Sequence, residues 1–286
     1  MNELLYRMGS SLLAGMILSQ TGSLIQLSTR NLLASPSTLG FDGLSIFWVL
    51  LFHSVMIFSI GEISPILMIL SGLPLLVLIG WIFSVTMRGQ NPLDKLVLTG
   101  LTFNLLIGAL FSLWQFLFVA FNLPFPVELW FGHFKFADAT TFFILLGFEL
   151  IFFWGQTFYR RDLILMTLGS QVTLNLKFNQ DKINFIIYSG TAAGTFLVIS
   201  LFGGFSFLGL IFPIVARTMW FKKMDLKGEL LAGSLCNGLF LMSVDLLCYF
   251  FPILGAEIPV GLIATAVGAA SLVVILWKSH MEKRSK

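Results

Sequence analysis

Apolar runs of about 16 to 26 residues alternate along this chain with short clusters of charge, glycine, proline or asparagine. A helix that crosses a bilayer needs about 20 predominantly apolar residues. The pattern therefore predicts nine spans, at 7–28, 44–60, 65–87, 96–121, 140–158, 183–201, 205–220, 230–251 and 261–277. The implied fold class is all-α: a polytopic membrane helix bundle forming a single domain over residues 1–286, with no separate soluble domain and no low-complexity segment. The longer connection from Tyr159 to Lys182 is mixed in character and reads as a partly buried amphipathic surface helix. In the connection 122–138, Trp130 reads as an interfacial anchor.

Composition supports the membrane reading. Of 286 residues, 57% are hydrophobic and only 11% charged, against about 25% charged in soluble domains. A net charge of +3 and a pI near 8.9 could suggest nucleic acid, but basic residues in a membrane protein first report orientation. With the C-terminal tail in the cytoplasm, fifteen of the 17 lysines and arginines fall on the inner side, and only Arg7 and Lys135 fall outside. An odd number of spans then puts the N-terminus outside. No basic leader precedes the first apolar run and no small-residue cleavage signal follows it, so the start does not read as a removable signal peptide.

Reactive chemistry is sparse. Cys236 and Cys248 lie twelve apart in an apolar run, in neither a metal nor a redox spacing, and read as packing residues. His53, His133 and His280 are scattered, so no metal site and no cofactor are expected. There is no G-x-x-x-x-G-K-[ST] loop to hold a nucleotide phosphate, so any ATP hydrolysis belongs to a partner chain. No nucleophile is paired with a base, and enzymatic chemistry within the chain is not expected. Two acids, Glu149 and Asp245, lie inside spans. Asp245 reads as a buried, hydrogen-bonded packing residue, whereas Glu149 carries no motif and could face a polar groove or snorkel. Gly190 with Gly194, and Gly261 with Thr265 and Gly268, place small residues at helix-packing spacing. The 31 phenylalanines and 11 methionines are read as lipid-facing and packing residues rather than as a substrate cage.

The most informative stretch is Gly203 to Glu229, GGFSFLGLIFPIVARTMWFKKMDLKGE. Gly203, Gly204 and Gly209 permit close backbone approach, and Pro213 removes a backbone donor. Such a helix survives in lipid only where other helices cover it. After Ala216 the character flips to Arg217, Lys222, Lys223, Asp225, Lys227 and Glu229, a membrane exit followed by a charged surface element. Gly204, Phe207, Gly209, Leu210, Ile211, Pro213 and Arg217 match a run through which the chain resembles the iron-siderophore, haem and cobalamin permease family of binding-protein-dependent ABC importers. Ile214 stands where that family has histidine. Two further stretches carry the resemblance. Arg30, Asn31, Leu33, Ala34, Pro36, Leu39 and Gly40 match one family run, with Leu32 replacing its proline, and Glu257, Pro259, Val260, Gly261, Thr265, Ala266 and Gly268 resemble the family's closing segment. Family members usually have ten helices, so this chain is expected to begin at their second.

The resemblance implies a prokaryotic plasma-membrane permease subunit that pairs with a second copy or a related permease, two cytoplasmic ATPases and an external substrate-binding protein. The implied cargo is a ferric siderophore, with haem or a corrinoid as relatives of it. Pro213, Arg217, Lys222, Lys223, Asp225, Lys227 and Glu229 become the ATPase-coupling element. Arg7, read as an exposed cation, becomes a docking contact for the binding protein. Asn31, Leu32 and Leu33 become a cytoplasmic gate, while Gly261, Thr265, Gly268 and Asp245 belong to the pathway or its packing. Two alternatives stay open: a divalent-metal ABC permease, and a secondary transporter or channel that works without ATP.

Overall fold

Capping residues, prolines and glycines set the helix boundaries. The computed structural model describes residues 2–59, 64–86, 92–121, 130–167, 179–217, 226–252 and 256–284. The described helices are, in order, α1 (Asn2–Thr29), α2 (Phe41–Ser59), α3 (Pro65–Thr86), α4 (Pro92–Ala120), α5 (Ala139–Phe158), α6 (Arg160–Thr167), α7 (Gln180–Phe202), α8 (Leu208–Val215), α9 (Leu226–Phe250) and α10 (Val260–Arg284). Pro65 and Pro92 open α3 and α4, where a missing N–H costs nothing. Asp138 caps α5 by accepting the Thr141 N–H at 2.8 Å, and the Thr141 hydroxyl accepts the Asp138 N–H at 2.9 Å, a reciprocal box that satisfies two orphan donors. Asn179 caps α7 by accepting the Lys182 N–H at 3.0 Å. That helix stops at Gly203, whose φ of +87° is open mainly to glycine.

Eight of the nine expected spans correspond to long helices. The ninth, 205–220, is described only to residue 217, and its α-helix, α8, begins late, at Leu208. The reason is local. Gly203 and Phe207 both adopt positive φ, +87° and +67°, so the first part of the apolar run descends as irregular backbone. Helix starts only at Leu208. Non-helical backbone at such depth is tolerated where protein covers it, and Gly203 to Phe205 and Leu208 to Ile211 are buried.

Among the described residues, five stretches qualify as membrane-crossing by length and composition: α3, residues 98–120 of α4, α5, α7 and residues 228–250 of α9. α1 is not among them, yet it is the centre of the bundle. It packs most extensively on α9 and also touches α5, α7 and α8, and every residue from Ile17 to Thr29 is buried. This inversion has a physical cause. Lipid tails are as apolar as leucine, so helices associate in a bilayer through close packing and hydrogen bonds. The helix with the most Ser, Thr, Gln and Gly therefore goes inside, and strongly apolar helices face lipid. α4, only 11% buried over its apolar window, shows the other side of the rule. Between α1 and α8 the approach is backbone to backbone: a Cβ on Gly22 would lie 1.5 Å from the Gly209 carbonyl oxygen.

Candidate functional site

The functional groups fall at the two ends of the α1/α9 pair and at one buried point between. At the first end, Arg7 of α1 points at Asp245 of α9 and at Glu257, which precedes α10. Its Nε lies 3.1 Å from both Asp245 oxygens, and its Nη2 donates to Asp245 Oδ1 at 2.8 Å and to Glu257 Oε2 at 2.9 Å. The guanidinium also sits 4.8 Å from the Tyr249 ring centroid. Arg7 is 7% exposed and Asp245 is fully buried. The exposure expected of Arg7 is thus corrected: an antiparallel neighbour places a buried carboxylate opposite it, and a buried charge requires a partner. Glu257, which sequence reasoning did not single out as an ionic partner, keeps a third of its side chain exposed. A pocket of about 420 Å³ opens here, with Glu3, Lys135, Asp138 and Tyr249 among its walls.

Beside this pocket three glycines tie three segments together through backbone alone. The Gly132 N–H donates to the Gly204 carbonyl at 3.0 Å, and the Gly261 N–H donates to the Gly132 carbonyl at 2.8 Å. A Cβ on Gly261 would meet the Gly204 oxygen at 2.5 Å. The small residues of α10 thus serve close packing at this end. Gly268 continues the contact against Ile211 and Phe207, and Thr265 is half-buried beside it. The opposite face of α10 exposes Leu262, Ala266, Val267, Ala269, Ala270 and Val273.

In mid-helix, Glu149 of α5 is 6% exposed and accepts a hydrogen bond from the Gln20 side chain. Gln20 in turn accepts from Gln156 Nε2 at 2.5 Å. Glu149 therefore faces α1 rather than snorkelling. Gln26, one and a half turns on, donates to the Leu210 carbonyl at 3.1 Å and so holds α8 in place. The signal for these contacts was present as glutamines inside an apolar-spaced segment.

At the other end, Asn31 forms a turn by accepting the Leu33 N–H at 2.9 Å. Leu32 and Leu33 are exposed at 48% and 45%, so the expected gate residues lie at a surface beyond α1. Arg30, at φ +51°, donates twice to the Met166 carbonyl, at 3.1 and 3.0 Å, a cation on the last turn of α6 where the helix dipole favours it. Pro213 is buried within α8. Arg217, just beyond, is ion-paired with Glu229 in the first turn of α9, so the two ends of the charged segment are clipped together. Lys222, Lys223 and Asp225 lie outside the described residues, as does the side chain of Lys227. Among the described residues no three of His, Cys, Asp and Glu converge on a metal position.

The model of the FecCD transport family matches residues 1–278. The chain belongs to the FecCD transport family. Over 296 aligned residues this FecCD chain is 28% identical to the uncharacterized ABC transporter permease protein YvrB of Bacillus subtilis strain 168, covering 100% of this chain and 80% of that one. It is 26% identical to the iron(3+)-hydroxamate import system permease protein FhuG of the same organism, over 94% of this chain and 81% of the relative. Among solved structures, a metal-chelate type ABC transporter in an inward-facing conformation superposes with a TM-score of 0.79 at 21% identity, covering 96% of this chain and 85% of that one. PsaBC from Streptococcus pneumoniae in complex with Fab gives 0.60 at 14% identity, covering 96% and 91%. Both structural likenesses concern the fold: a FecCD bundle of the ABC-permease type, embedded in the membrane by several passes.

Proposed function

We propose that this FecCD chain is the permease subunit of an ABC importer for a ferric siderophore or a related chelate such as haem or a corrinoid. The observation that carries this reading is the family match along almost the whole chain, with a relative named for iron(3+)-hydroxamate import. The Arg30 end is cytoplasmic in this reading, which the distribution of lysine and arginine supports. The subunit pairs with a second permease copy or a homologue; α4 and α10, with their broad exposed faces, are the helices best suited to meet it and line the pathway. An ATPase pair docks on the segment running from Arg217 to Glu229. Lys222, Lys223, Asp225 and Lys227 supply its charges, and Pro213 with the buried α8 links it to the bundle. An external binding protein delivers cargo at the Arg7 end. There Arg7 acts as a strut between α1, α9 and the segment before α10, and docking falls to the exposed groups around it. Asn31, Leu32 and Leu33 close the cytoplasmic exit. The chain itself converts nothing chemically.

The test is reconstitution in liposomes with the ATPase and binding protein that co-purify with it. Uptake of ferric hydroxamate should require all three components and ATP. Lys222→Glu with Lys223→Glu should abolish uptake while leaving insertion intact. Uptake by the chain alone under an ion gradient would instead favour a secondary transporter, and uptake of bare divalent ions in place of chelate would favour the metal-ion permease.

A further inference from the structure

A groove between α5 and α7 has no role in the reading above. It is lined by Phe148, Ile151, Gly155, Ile183, Ile186 and Gly190 among others, encloses about 210 Å³ and is almost wholly apolar. It exists because small residues stand where the helices would otherwise touch: nothing lies within 4 Å of a Cβ built on Gly155. Ile151 on its wall is 70% exposed, as are its helix neighbours Trp154 and Phe158 at 67% each, so the groove opens to the lipid side. From Phe148 to Tyr159 it follows twelve residues of α5 and its end, about 16 Å. That is the depth of one leaflet, half of a hydrocarbon core of about 30 Å.

The groove has a polar end. Tyr159 and Leu163 close it at the bottom, and the adjoining residues Arg161 and Lys182 are exposed there, with Arg30 held close by through Met166. With Asp162 and Asp181 adjoining in the chain, this end carries three cations against two acids. An apolar slot one leaflet deep, ending in a net positive rim and an interfacial tyrosine, matches an acyl chain bearing an anionic headgroup. We infer that the α5/α7 groove is a binding site for an anionic phospholipid of the leaflet at the Arg30 end, its tail along Gly155 and its phosphate at Arg161 and Lys182.

The full chain in nanodiscs of mixed phosphatidylcholine and phosphatidylglycerol, probed with spin-labelled forms of each, tests this. Spin-labelled phosphatidylglycerol should show a motionally restricted population in excess of phosphatidylcholine. Gly155→Leu should remove that excess by filling the slot. Arg161→Gln with Lys182→Gln, a surface variant that leaves the core untouched, should cut the preference for phosphatidylglycerol by about five-fold per charge removed. Equal restriction of the two lipids would overturn the inference. So would an excess that survives Gly155→Leu in a chain of unchanged helicity, because the lipid would then be held only by the charged surface. None of these outcomes depends on the cargo or on ATP, so they leave the transport reading untouched.

Discussion

Asp245→Asn is the most informative single change. It removes the charge that faces Arg7 in the interior while keeping the shape of the side chain. The guanidinium is 7% exposed and would be left with Glu257 alone, a third of whose side chain is in solvent. Breaking a buried pair by removing one partner costs about 3–5 kcal/mol, while a partly exposed pair is worth about 0–1 kcal/mol. Asp245→Asn should therefore destabilise the chain by about 3 kcal/mol or more, and Glu257→Gln by about 1 kcal/mol or less. Replacing both buried ions, Arg7→Leu with Asp245→Leu, should recover most of the loss, since a well-packed apolar pair often equals an ion pair. Reversible unfolding in mixed micelles, followed by helicity, measures the cycle. If the losses of Arg7→Leu and of Asp245→Leu, each made singly, simply add in the double variant, the ion pair is not coupled and the strut role of Arg7 is wrong. The same geometry means that Arg7→Glu places three carboxylates together, so weakened capture from a binding protein in that variant would report a disturbed mouth and not a lost docking contact.

Two further predictions rest on single contacts. Gly22→Ala drives a methyl into the Gly209 carbonyl and should cost at least about 1–3 kcal/mol, read as loss of folded chain in the same micelle assay, whereas Gly147→Ala, with open space around it, should be neutral or mildly stabilising. Asp138→Ala removes the α5 cap and should cost about 1 kcal/mol; burial alone would raise the Asp138 carboxyl, but its hydrogen bonds with Thr141 outweigh that and hold it below the ordinary range. Its contribution is therefore complete above the unfolded-state value and fades as pH falls through the lower folded value, so an acid titration of stability should flatten in Asp138→Asn.

The helices were legible because each is an apolar run ended by chemistry that stops helices, as at Gly203 or before Pro65. The run 205–220 misled because hydropathy is blind to backbone direction: its first three residues are irregular backbone that Gly203 and Phe207 permit, and Pro213 was the visible warning. The Arg7–Asp245 pair was not legible as a contact because its members stand 238 residues apart. The spans nevertheless placed both at the same face, and a lone intramembrane acid needs a cation. Gln20 and Gln156 escaped notice because a neutral amide registers in neither a charge count nor a motif, although it is what holds the buried carboxyl of Glu149. The charges between Arg217 and Glu229 remained readable only as a run, since the coupling role proposed for them would lie in a partner surface.

If residues 217–229 form the coupling segment proposed above, the arrangement of α1 and α9 carries a mechanical consequence. α9 begins beside the coupling segment, where Glu229 grips Arg217, and reaches Asp245 sixteen residues later, about 24 Å away. Along that length it is pinned to α1 by Asn237 Nδ2, which donates to the Gly15 carbonyl at 2.6 Å, and at the far end by the Arg7 pair. A helix held at both ends and in the middle moves with its neighbour as one body, whereas α4 touches only α2 and α3 to any extent. Spin labels at Leu5 and Leu235, both exposed, in a chain cleared of Cys236 and Cys248, should therefore keep one distance between nucleotide-free and ATP-bound importer. A second pair at Leu235 and Leu105 should change distance. If the α1 to α9 distance shifts as much as the α4 distance, the pair is not a rigid unit, and force from the coupling segment must reach the Arg7 end by another route.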